Sequence, residues 1–151
     1  MSAEAFVMDV SELRKRILRA VEDARKDAAA RRVLIDQATK AYARYLEDIV
    51  VPMLKQTATI VNASGGTFVV STPADSARMS AQHASETYLE IALDRSGVEP
   101  EVVGRISLAR GRQGVVVDER PIATGKPVEA LTEEDLAAYL VTAIPKLVVK
   151  T

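Results

Sequence analysis

The sequence predicts an α+β fold with a long N-terminal helix, an antiparallel meander of about five strands, and a C-terminal helix packed with it on one face. Three observations carry that prediction. Apolar residues from Val10 to Val61 recur at helical steps of three and four. After Gly65-Gly66 the pattern changes to short β-rich runs separated by turn residues. From Leu131 a strong capping signal opens a second amphipathic stretch.

The helical stripe runs through Leu13, Ile17, Ala20, Ala24, Ala28, Ile35, Ala38, Tyr42, Tyr45 and Ile49, close to the heptad spacing of a coiled-coil seam. Asp9 offers an N-cap with Glu12 three residues on, and Ser11 competes with it. Between Ser11 and Val33, eight Lys/Arg residues against four acids leave +4, over a seam that is mostly Ala. Such a seam permits close helix approach but buries little area per residue. From Leu34 the apolar face grows heavier, as in a helix that packs on a core. Pro52 predicts a kink near Asp48–Pro52 rather than a stop, and Asn62 to Gly66 end the helix. So long a stripe exceeds what one small sheet covers. Leu13, Ile17, Ala24, Ala28, Ile35, Tyr42 and Tyr45 are therefore expected to form a homodimer or partner interface.

Thr67–Ser71 reads as the first strand, stopped by Pro73. Ala77–Ala81 suits a second strand or a helical turn about equally. Thr87–Asp94, Glu101–Ala109 and Val115–Asp118 follow, and Gly111-Arg112-Gln113-Gly114 forms a hairpin loop between the last two. Short connections favour an antiparallel meander over crossover units. Arg120–Val128 is a loop. Thr132 then caps a helix whose first turn is acidic and whose body runs to Ile144 and Pro145, with Leu147-Val148-Val149 continuing it or peeling off as a strand. The whole reads as one domain, 1–151, with 10–61 a kinked helix available to project for dimerisation.

With 151 residues, 48% hydrophobic, 27% charged and a formal net charge of −1, the chain suits a single folded domain and gives no global attraction to nucleic acid or anionic membranes. Cys is absent, which excludes disulfides and thiolate chemistry. Neither a secretory signal nor an apolar run of membrane-spanning length is visible, so a cytoplasmic location is expected.

Chemical motifs are few. His83 is the single histidine, with Ser80, Ser85 and Glu86 nearby, but catalytic triads assemble in space and local proximity does not make one. Gly125-Lys126 fails the phosphate-loop pattern at both ends, with Arg120 and Pro127 in the wrong places. Glu133-Glu134-Asp135 is explained by its helix start, Asp118-Glu119 by a turn, and Asn62-Ala63-Ser64 is a chance sequon. No metal or cofactor is expected. Arg105, Arg110 and Arg112 around the Gly111 hairpin, together with the basic early helix, form the one candidate anion-binding set.

The run GRISLARGRQG, followed by DERPI and LTEEDLAAYL, resembles uncharacterised bacterial proteins in which a long charged helix precedes a small β-rich domain. That resemblance implies no activity and no catalytic residues. The element order is also broadly similar to small dimeric secretion chaperones, a likeness of fold alone. The expected function is a non-enzymatic protein-interaction or chaperone-like module, homodimeric through its long helix. A nucleic-acid or anionic-ligand binder and an enzyme of unidentified type are the alternatives.

Overall fold

The computed structural model describes residues 8–149. By internal contacts the chain divides into two units, one up to Leu34 and one from Ile35 onward. The first unit is helical from Val10, as the opening part of α1 (Val10–Tyr45). Asp9 caps it: its carboxylate accepts the Ser11 N–H at 3.1 Å and its carbonyl accepts the Leu13 N–H. Glu12 pairs forward with Arg16 at 3.4 Å and Glu22 with Lys26 at 4.0 Å, both i,i+4 with the acid N-terminal, the favourable order. Ala-rich turns and straight charged side chains supply the helix propensity.

In the second unit the helical path continues through a π-turn, Leu46–Val50, into α2 (Val51–Ala63). Near Asp48–Pro52, where the sequence predicts a kink, the helical path carries this π-turn. The Val51 N–H reaches back to the Leu46 carbonyl, and the extra residue absorbs Pro52, which has no N–H to donate. Gly65 at φ +104 ends α2. The Asn62 side chain then accepts the Phe68 N–H at 2.7 Å and donates to the Phe68 carbonyl at 2.9 Å, tying helix end to sheet edge.

The sheet has five strands in the order β1-β2-β3-β4-β5: β1 (Phe68–Ser71), β2 (Ala77–Ala81), β3 (Ala84–Asp94), β4 (Glu101–Arg110) and β5 (Gln113–Pro121). All neighbours are antiparallel, the expected meander. Residues 77–81 are a strand, because they pair on both sides. β3 and β5 outrun their predicted limits. Glu119-Arg120-Pro121 have little strand character of their own and are extended by pairing with β4, as Ala84 is by pairing with Ala81. Ala77, Met79, Leu89, Ile91, Leu93, Val102 and Ile106 alternate onto one face. That face joins Tyr42, Val50 and Leu54 on one side of the chain and Leu136, Tyr139, Leu140 and Leu147 of α3 (Glu133–Val148) in one core.

α3 opens with a reciprocal capping box between Thr132 and Asp135. Pro145 lies inside it without ending it. The carbonyl deprived of its partner belongs to Val141, which is 76% exposed and open to water.

Candidate interaction surface

Every residue from Met8 to Leu34 is exposed. Val10 (79%), Leu13 (45%), Ile17 (53%) and Val21 (39%) are large apolar side chains left open to solvent. At 100° per residue they fall, with Ala24 and Ala28, within an arc of about 80° on α1. Arg14, Arg25 and Arg32 border that stripe on one side, and Arg16, Asp23 and Asp27 on the other. Of the predicted seam, Leu13, Ile17, Ala24 and Ala28 stand exposed, and Ile35 is half-buried.

Tyr42 and Tyr45 do not belong to an interface with a second chain. They are 2% and 5% exposed, inside the protein's own core. The Tyr42 hydroxyl donates to the Asp75 carbonyl, and the Tyr45 hydroxyl to the Thr132 carbonyl at 2.9 Å. Burial, then the neighbouring Asp75 and Glu90 charges, push the Tyr42 hydroxyl far above its ordinary range. Burial and Asp135 push that of Tyr45 to about 12. From Ala38 the stripe faces inward. Helical periodicity reports that a face is apolar, and it reads the same whether the cover is the chain's own sheet or another molecule.

The arginine cluster is also divided. Arg110 ends β4 and Arg112 lies in the turn, both exposed. Arg105 sits mid-strand, where its Nε donates to Glu119 Oε1 at 3.0 Å and its Nη1 to Glu90 Oε1 at 3.2 Å. The hydrogen bond from Arg105 to Glu119, against the cost of burial, holds its guanidinium charged. Whereas Arg110 and Arg112 stand exposed, Arg105 is therefore engaged within the chain. Sequence reasoning missed the group that takes it. Glu90, 7% exposed, also accepts from Arg78 Nη2 at 2.8 Å and Ser76 Oγ at 3.2 Å, while Arg78 stacks 3.9 Å from the Tyr88 ring centroid. The signal was the alternation in Tyr88-Leu89-Glu90-Ile91, which sends Glu90 to the face opposite the core.

The His83 side chain is exposed at the β2–β3 turn and lines a cavity of about 550 Å³. Ser64, Thr67, Thr87, Phe68 and Leu147 share that lining, and among the described residues no carboxylate does. A histidine without an acid to orient it lacks the pairing that general-base catalysis by a triad uses. Gly125 takes φ +78 in a turn, and Lys126 pairs with Asp135 at 2.8 Å instead of waiting for a phosphate. Among the described residues no group of three or more His, Cys, Asp or Glu is arranged to hold a metal ion. No helix there is long and apolar enough to cross a membrane.

Comparison with family models, curated proteins and solved structures finds no match. The functional reading therefore rests on geometry.

Proposed function

We propose that this chain is a non-enzymatic protein-interaction module that self-associates through the N-terminal part of α1. The supporting observation is the stripe Val10, Leu13, Ile17 and Val21, four large apolar side chains 39–79% exposed on one helical face. Scattered apolar residues on a surface need no explanation, but a contiguous stripe at seam spacing marks an association site. A helical segment without tertiary support is also marginal in water, and covering its apolar face is the usual source of its stability. A second copy supplies the same stripe, so each molecule covers the other.

The double variant Leu13→Glu/Ile17→Glu tests this. Both residues lie outside the core, so the melting of the body from Ile35 should change little. Light scattering should give a dimer for the wild type and a monomer for the variant. An unchanged mass for the two proteins contradicts the assignment.

A further inference from the structure

α1 is held at one end only. Ala38, Tyr42 and Tyr45 are buried in the core, and the two tyrosine hydroxyls donate to the Asp75 and Thr132 carbonyls. From Leu34 back to Val10 every residue is exposed, so no apolar burial within the chain supports those turns. Their local supports are small. The Glu12–Arg16 and Glu22–Lys26 pairs have side chains 52–72% exposed, where water screens them. Ala20, Ala24 and Ala28 to Ala30 favour the helix. Against them, Ser11, Asp23 and Asp27 compete for backbone groups, and Val10, Ile17, Val21 and Val33 lose rotamer freedom in it.

Resting on the self-association proposed above, we infer that helix formation over residues 10–30 is linked to it. The buried turns nucleate α1, but each residue added toward Val10 gains little, so a lone chain frays inward from that end. The helix is completed when a second copy covers Val10, Leu13, Ile17 and Val21. Their burial supplies the apolar gain that the exposed turns lack. Ordering the segment then subtracts from the association free energy, as in any folding coupled to binding. Association is in this way regulated by helix propensity along the whole segment, including positions that never meet the partner. This holds for either orientation of the pair.

Ala30 separates this linkage from direct contact. It stands about 140° around α1 from Ile17, facing away from the stripe. Ala30→Gly changes no charge and touches no residue of the core. If the segment orders on association, glycine disfavours the helix once in each copy of the dimer and leaves the frayed monomer unaffected. Sedimentation equilibrium should then show dimerisation weakened about twentyfold. An unchanged association constant means that the free chain is already helical there, with glycine destabilising monomer and dimer alike. That result overturns the linkage and leaves self-association standing. Amide exchange gives a second reading. Protection over residues 13–30 should rise as concentration passes through the dimer transition, while that of the paired Leu89 and Ile106 stays constant. Equal protection over residues 13–30 in dilute monomer and concentrated dimer also overturns the linkage. A wild type that is monomeric throughout overturns the underlying proposal instead.

Discussion

Tyr42, Tyr45 and Tyr139 are all buried, yet their hydroxyls have different consequences. Those of Tyr42 and Tyr45 satisfy backbone carbonyls, whereas the Tyr139 hydroxyl has no hydrogen-bond partner among the described residues. The Tyr139 ring lies where a Cβ on Gly104 would be, so β4 needs glycine at that point. Burial, with the Asp118 charge adding to it, pushes the Tyr139 hydroxyl to about 12, so it stays neutral at ordinary pH. Removing a satisfied buried hydroxyl strands its acceptor, while removing an unsatisfied one relieves a desolvation cost. Tyr45→Phe is therefore expected to lose about 1 kcal/mol, and Tyr139→Phe to be neutral or slightly stabilising. Urea denaturation of the two variants checks this, and equal losses would contradict it. None of it was legible in the sequence, where Tyr42 and Tyr45 read as seam residues.

At the scale of elements, what was legible is what local chemistry dictates. Asp9 and Thr132 as caps, Gly65 as a stop and the alternation of β3 and β4 each act through near neighbours. What was hidden depends on pairing across the fold. The link from β5 to α3 is the clearest case: Lys146 Nζ lies 2.7 Å from Asp118 Oδ2, and Arg120 lies 2.9 Å from the same oxygen. Burial pushes the Asp118 carboxyl upward, but hydrogen bonds from Lys146 and Arg120 outweigh it and hold the group below 3.8. With its folded pKa beneath its unfolded one, Asp118 adds stability that is full above about pH 5 and disappears as pH falls through the folded pKa. Lys146 is 40% exposed, so screening limits the pair to about 0.5–1 kcal/mol. Lys146→Met should therefore be less stable than wild type at neutral pH and indistinguishable once the pH has fallen below the folded pKa of Asp118. Thermal melts across that range measure it. A difference persisting in acid would mean that packing of the lysine stem, not its charge, joins α3 to β5.

For the whole molecule, fold class was readable because each element announces its own period, and the order long helix, meander, helix leaves few ways to bury the stripes. The exposure of the helical stripe was half readable. The stripe was visible from Leu13 to Tyr45, but its division at Ile35–Ala38, exposed before and buried after, depends on which residues the sheet covers. The face of the sheet opposite the core carries Arg78, Glu90, Arg105 and Glu119 joined to one another, a polar finish suited to solvent. Val115, Val116 and Val117 on edge strand β5 are 37–48% exposed, and the irregular pairing there, with Val117 left between the partners of Ile106 and Ser107, interrupts the edge against strand addition. The open apolar stripe of α1 is the surface on which the proposed self-association rests.

Sedimentation equilibrium of the wild-type chain over a concentration series, at low and high salt, tests that claim most directly. A helix seam closed by apolar contacts predicts a dimer that persists at high salt, because added salt screens charges and leaves apolar burial intact or stronger. A monomer at every concentration, or a dimer that dissolves as salt rises, would contradict it.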